Sequence, residues 1–222
     1  MKPKHFPGAR WLMAAVAICG LSSMAMAAEP VAGQDYEVLD KPVSSEVPDG
    51  KIGVTEVFWY GCPHCYALEE PLESWVDTLP DDVVFERLPA TMGKVWLRHA
   101  TAYYAARELG IFNTQFHRDF FDAIQKDGHR MTEDDEIAEF FTHYGVSKDE
   151  ALKALNSFGV KSQLNQANAR MKAYKLMGVP ALVVNGQYVI TPRSANGLDN
   201  MPKIAEALIE KTRQEKEAQG TN

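Results

Sequence analysis

Cysteine is scarce in this chain, with three among 222 residues, at positions 19, 62 and 65. So few cysteines exclude the disulfide framework that staples many small exported domains. Low-complexity runs and internal repeats are also missing. Beyond the first 27 residues no apolar stretch approaches the roughly 20 residues needed to cross a bilayer. Nor is there any excess of positive charge. The formal balance is −7, and losing Lys2, Lys4 and Arg10 takes it to −10, which argues against a general role on nucleic acid or anionic membranes. What remains is an ordinary globular composition, 45% hydrophobic and 24% charged. It suits one substantial domain, or one domain carrying an insertion.

The first 27 residues stand apart. A basic start (Lys2, Lys4, Arg10) leads into an apolar stretch from Trp11 to about Leu21, followed by small residues ending Ala25-Met26-Ala27. This three-part pattern predicts a secretory signal over 1–27, cleaved after Ala27. Cleavage removes Cys19 and leaves Cys62 and Cys65 as the mature cysteines. With a bacterial-type signal the destination is the periplasm or beyond. A bridge between Cys62 and Cys65 closes too small a loop to restrain the unfolded chain much, so the pair is not read as a structural staple.

Along the mature chain, 52–60 reads as a strong strand of β-branched and aromatic residues with Glu56 in its middle. It runs into Gly61-Cys62-Pro63-His64-Cys65. A helix follows over 66–79, with Leu68, Leu72, Trp75, Val76 and Leu79 at helical spacing. A second strand is expected over 83–89, completing a right-handed βαβ unit with parallel strands. The texture then turns helical. Helices are expected over 92–109 (Val95, Leu97, Ala100, Tyr103 and Tyr104 at helical spacing), 114–125, 132–144 with Thr132 as N-cap, and 147–157 with a serine cap. A longer helix is expected over 161–177. Two apolar runs flanking Asn185-Gly186 predict a hairpin, and 200–211 reads as a final amphipathic helix. Residues 213–222 are charged, lack apolar anchors, and are expected to fray.

The cysteine motif carries the chemistry. Pro63 suits the first helical position, where its missing N–H costs nothing. Cys62 therefore sits at the helix N-terminus, where unpaired N–H groups and the helix dipole stabilise a thiolate and lower its pKa. His64, when protonated, adds positive charge nearby. Cys65 lies one turn inward and is less accessible. The asymmetry makes Cys62 the sulfur that exchanges with partners and Cys65 the one that resolves or re-forms the bond. A stabilised thiolate favours the reduced pair, so the disulfide is a strong oxidant. Zinc is the competing reading of two cysteines three apart. A structural site asks for four ligands, however, and the other candidates, His64, His99, His117, His129 and His143, are scattered and most simply belong to the surface or core of helices. Phe58, Trp59 and Tyr60 are read as an apolar rim for unfolded substrates or as core, with at least one of them core.

Cys62-Pro63-His64-Cys65 after an aromatic strand, Gly178-Val179-Pro180 ahead of a strand, and the helical run between them together resemble the DsbA family, periplasmic thiol oxidants of Gram-negative bacteria. The resemblance spans essentially the whole mature chain. It implies an α/β thioredoxin fold with an inserted all-helical domain: a first thioredoxin-like part over 28–90, the insert over 91–160, a second part over 161–212, and a flexible tail over 213–222. It implies that Pro180 is cis and faces the cysteines, and that the backbone of Val179 pairs with an extended substrate. Glu56 is placed beneath Cys65 as a buried acid that helps move protons, with a raised pKa. Family members often carry a lysine near that acid on the next strand. The corresponding place here falls near Glu86-Arg87, a departure that leaves the partner of Glu56 open. Met92 and the 191–201 loop fall where family members bind partners. The implied activity is oxidation of reduced, unfolded exported proteins, with re-oxidation by a DsbB-like, quinone-linked membrane protein and without a metal or bound cofactor. The acidic, capped helical exterior is consistent with a monomer, and the sequence does not fix the oligomeric state. The alternatives are a disulfide isomerase or reductase on the same fold, and, from another class, a non-catalytic metal- or protein-binding module. A DsbC-type isomerase carries an N-terminal dimerisation domain, and only a short segment precedes the first strand expected here.

Overall fold

The computed structural model describes Met1, residues 29–44 and residues 47–220. Of the expected signal over 1–27 only Met1 is described; Cys19 within it and the last two residues of the expected tail lie outside the described residues. Strand β1 is Glu37–Val38. Then come β2 (Ile52–Phe58), α1 (Pro63–Val76) and β3 (Val83–Pro89). Five consecutive helices follow: α2 (Lys94–Glu108), α3 (Thr114–Gln125), α4 (Asp134–Thr142), α5 (Lys148–Leu155) and α6 (Phe158–Ala173). The chain returns through β4 (Ala181–Val184) and β5 (Tyr188–Ile190) to α7 (Met201–Gly220). This is the expected order, a thioredoxin-like α/β unit interrupted by helices.

The sheet runs β1-β5-β4-β2-β3. Strand β2 is buried along its whole length, paired parallel to β3 and antiparallel to β4, which is why it reads as a nearly unbroken β-branched run. The β4–β5 hairpin turns at Asn185 and Gly186, both at positive φ (51° and 65°), as a two-residue hairpin requires. Gly186 is further constrained because a Cβ there would lie 2.1 Å from the Val43 carbonyl oxygen. Two apolar clusters form. One packs Ile52, Val54, Leu182 and Val184 of the sheet against Leu68 and Leu72 of α1 and Leu208 and Ile209 of α7. The larger joins Val57, Phe58 and Tyr60 to the interior of α2–α6 through Phe116, Phe120 and Phe121. The insert thus shares one core with the strand end that carries the cysteines.

Three local expectations are corrected. Helix α4 starts at Asp134 with Glu133 in the cap position, and no side chain caps it. Thr132 lies outside the helix, its carbonyl held by Arg98 Nε at 3.0 Å and its N–H directed to Glu136. Helix α6 begins at Phe158, where Ser157 accepts from the Val160 N–H at 3.0 Å. The expected domain boundary after residue 160 therefore falls inside a helix that packs along α2.

The third correction concerns the chain end. Helix α7 does not fray at Arg213 but continues to Gly220. Its last turns are fastened by polar contacts distant in sequence. Arg213 Nε donates to Asp82 (2.9 Å), the Tyr188 hydroxyl to Glu215 (2.8 Å), and Lys216 Nζ to the Lys51 carbonyl (2.6 Å). Apolar periodicity cannot reveal such anchors. Deleting residues 213–222 should therefore lower stability by about 1–2 kcal/mol, measured as the urea midpoint at constant slope. An unchanged midpoint would return these turns to the status of a tail.

Candidate active site

Strand β2 ends at Phe58 and the chain turns through Trp59-Tyr60-Gly61, with the Cys62 N–H donating to the Trp59 carbonyl at 2.9 Å. Gly61 is required because a Cβ there would lie 2.3 Å from the Trp59 indole. That indole stacks on Trp96 of α2, with centroids 4.1 Å apart and planes within 10°, so the insert is pinned to the turn before the cysteines. Phe58 and Tyr60 are fully buried, and both are core. Trp59 is half-buried.

Cys62 is the N-cap of α1 with Pro63 at its first position. Both cysteines are free thiols. Cys62 keeps 8% of its surface and Cys65 none. The Cys65 N–H points to Cys62 Sγ at 3.4 Å, and the Val179 carbonyl lies 3.7 Å from the same sulfur. The Cys65 thiol as hydrogen-bond donor, the backbone N–H groups of Cys65 and His64, and the nearby His64 charge outweigh burial. Together they lower the Cys62 pKa from about 9 to about 6. Burial, then the thiolate character of Cys62, push Cys65 far up. Pro63 and His64 are exposed. The Val179–Pro180 bond is cis, with Pro180 buried and Val179 half-buried.

Met92 is 42% exposed just ahead of α2. Val95 and Leu97 are also exposed. Half-buried Trp96 lies between them and joins this apolar stretch to the cysteine turn by the Trp59–Trp96 stack.

A buried polar cluster lies near enough to Cys65 that, after burial, the charge of Glu56 helps push its pKa up. Glu56 is fully buried, and its Oε2 is 3.1 Å from Arg87 Nε, its register partner on β3. Burial first, then the charge of Glu69, raise the Glu56 pKa to about 8 against the opposing pull of Arg87. Arg87 also reaches Glu69 (3.3 Å) and Glu73 (3.7 Å) on α1. The partner of Glu56 left open by the sequence is thus an arginine shared with two more carboxylates. Glu69 approaches His117 Nε2 at 3.3 Å, and His117 Nδ1 meets the Tyr60 hydroxyl at 2.8 Å. Glu73 is paired by Arg118, whose Nε lies at 2.6 Å.

Sequence reasoning missed Glu69, Glu73 and His117. The clue was present, since Glu69 and Glu73 follow Cys65 at successive four-residue steps and so share its inward face. Glu56, Glu69 and His117 bring three donor atoms within 4.8 Å of one another, an arrangement able to hold a metal ion. The Arg87 guanidinium supplies positive charge at this point.

Such a site can exchange disulfides: a thiolate stable near neutrality, a sealed partner thiol, and a buried carboxyl that titrates close to working pH.

The DSBA-like thioredoxin domain, as a sequence family, matches residues 82–209. The chain is 41% identical over 202 residues to the thiol:disulfide interchange protein DsbA of Pseudomonas syringae pv. tomato, covering 90% of this chain and 92% of that one. It is 40% identical over 205 residues to the DsbA of Azotobacter vinelandii, covering 91% and 95%. The crystal structure of Pseudomonas aeruginosa DsbA superposes with a TM-score of 0.79 at 40% identity, over 84% of this chain and 96% of that one.

The depressed Cys62 pKa means that its charge stabilises the folded dithiol protein. This contribution is complete above the free-thiol value near 9 and is lost as pH falls through about 6. Glu56 titrates in both redox forms, so comparison with the disulfide form, which has no titrating Cys62, isolates the effect. The stability of the dithiol form relative to the disulfide form should decline between about pH 9 and about pH 5, as measured by denaturant unfolding. A difference independent of pH would show that the thiolate is not favoured by the fold.

Proposed function

The chain belongs to the DsbA family of thioredoxin-fold thiol:disulfide oxidoreductases, and from that premise we propose that it is a periplasmic oxidant donating a Cys62–Cys65 disulfide to newly exported proteins. A substrate thiolate attacks Cys62 Sγ, forming a mixed disulfide and expelling Cys65, which takes a proton from Glu56. A second substrate thiolate attacks the substrate sulfur of the mixed disulfide and releases Cys62 as a thiolate. The substrate loses two electrons to form its disulfide, and the enzyme leaves as the dithiol. The observation that carries this reading is the asymmetry of the pair. Cys62 is lowered to about 6, while Cys65 is raised by burial. A low leaving-group pKa speeds release, and a stabilised thiolate makes the disulfide oxidising.

Other parts take supporting roles. His64 and Pro63 set the helix start and its local charge. The backbone at Val179, beside Pro180 and 3.7 Å from Cys62 Sγ, offers an edge for an extended substrate strand. Met92 and its exposed apolar neighbours offer unspecific contact for unfolded chains. A DsbB-like membrane protein passing electrons to quinone re-oxidises the pair. The protein acts as a monomer, exported by a signal over 1–27. No helix among the described residues is long and apolar enough to cross a membrane.

The test is equilibration against glutathione together with turnover of a reduced peptide. The pair should equilibrate well above thioredoxin's potential of about −270 mV, and Cys62→Ser should reduce peptide oxidation to the uncatalysed rate. A potential near that of thioredoxin, or retained activity in Cys62→Ser, would overturn the assignment.

A further inference from the structure

Two consecutive residues of the insert, His117 and Arg118 on α3, reach two carboxylates one turn apart on α1, Glu69 and Glu73. Arg118 is half exposed and pairs the buried Glu73 from the solvent side. His117 is different, being fully buried and ringed by Phe58, Tyr60, Phe112 and Phe121. Its Nε2 and Glu69 Oε1 face each other at 3.3 Å, short of good hydrogen-bond alignment, and no well-aligned hydrogen bond reaches either atom. Buried polar atoms are seldom left unpaired, so these two have each other to satisfy.

The tautomer follows from chemistry. Burial first, then Arg87, hold the imidazole pKa down to about 3, so the ring is neutral and carries one N–H. Burial keeps the Tyr60 phenol protonated, and its hydroxyl lies 2.8 Å from Nδ1. The consistent arrangement has Tyr60 O–H donating to Nδ1 and the imidazole Nε2–H directed at Glu69.

The charged and titratable groups around the ring are Glu56 on β2, Tyr60 in the turn, Glu69 and Glu73 on α1, Arg87 on β3, Tyr103 on α2 and Arg118 on α3. Arg87 approaches all three carboxylates and so favours charge on each of them. His117 Nε2 is 3.3 Å from Glu69, and a ring nitrogen of His117 lies within 4.8 Å of Glu56, so its N–H acts most strongly on Glu69. The Glu56–Glu69 carboxyl contact, which raises Glu56 and lowers Glu69, works in the same direction.

We propose that His117 is a positioning residue, lent by the helical insert to the thioredoxin half: by directing Nε2–H at Glu69 it holds that carboxyl charged and leaves the exchangeable proton on Glu56, near Cys65. This rests on the reading of Glu56 as the proton donor to Cys65. It assigns the insert a part in setting the protonation of the exchange site.

Carboxyl carbon NMR of the dithiol protein labelled at glutamate tests it. In the native protein Glu69 should titrate below Glu56. In His117→Phe the Glu69 midpoint should rise by about one pH unit or more, and the Glu56 midpoint should fall as its charged neighbour is lost. His117→Gln offers an oxygen toward Tyr60 and an N–H toward Glu69, and should restore the native order. A packing role alone would lower stability in His117→Phe without moving either midpoint, and that result would overturn the proposal. Should His117→Phe not fold, nitrogen NMR of the native imidazole decides the matter. It should show the neutral Nε2–H tautomer from about pH 5 to about pH 9, and an Nδ1–H tautomer or an imidazolium would overturn the proposal. These titrations do not depend on turnover, so they stand apart from the Cys62→Ser test.

Discussion

Arg87 faces three carboxylates in the interior: Glu56 from its own sheet, and Glu69 and Glu73 from the helix that begins at the cysteines. Without its guanidinium these acids would repel one another in a medium that screens poorly. Removing one partner of such a buried set costs about 3–5 kcal/mol. The arrangement ties β2, β3 and α1 together at the level of Cys65. Arg87 is itself placed by ordinary sheet geometry, in register beside Glu56 on the parallel neighbour strand, and the Tyr103 hydroxyl of α2 donates to its carbonyl at 3.1 Å. The polar interior therefore depends on the same β2–β3 pairing that builds the apolar core.

The insert is fastened to the exchange site from several directions. Trp96 stacks on Trp59, Gln125 donates to the Tyr60 carbonyl at 2.7 Å, the Tyr66 hydroxyl donates to Asp122 at 2.6 Å, and His117 lies between Tyr60 and Glu69. Each of these contacts lands on the cysteine turn or the first turns of α1. Such fastening fixes the N-terminus of α1, and with it the N–H groups that lower the Cys62 pKa. A helix end that wandered would hold its thiolate less well, because the dipole effect is confined to the first turn.

Much of this was legible in the sequence wherever structure is decided locally. The β2-α1-β3 unit, the Asn185-Gly186 hairpin and the capped helix after Ser147 follow from periodicity, turn chemistry and caps. The same local logic placed Cys62 at a helix start and gave the two sulfurs opposite characters. It failed where partners are distant. Helix α7 runs past Arg213 because Asp82, Tyr188 and Lys51 await its polar side chains. Thr132 does not cap α4, and its carbonyl is held by Arg98. The partner of Glu56 was left open where a lysine was expected; it is Arg87, which two acids on α1 share. Glu69 and Glu73 look like ordinary surface acids until the inward face of α1 is defined by Cys65.

The value near 8 at Glu56 joins the two halves of the proposed chemistry. Burial raises Cys65 so far that it stays protonated at neutral pH, so disulfide exchange needs a group that gives and takes a proton there. A carboxyl at its ordinary value near 4.5 would be too weak a base to accept that proton and too rarely protonated to return it. A carboxyl buried without any countercharge would be raised further and would bind its proton too firmly. Burial pushes Glu56 up, Glu69 pushes it further, and Arg87 restrains it. The balance falls close to working pH, where a proton carrier is most effective. The sign of every contribution is fixed by position: an acid in the middle of a buried strand, a second acid one turn beyond Cys65, and an arginine in register on the neighbouring strand.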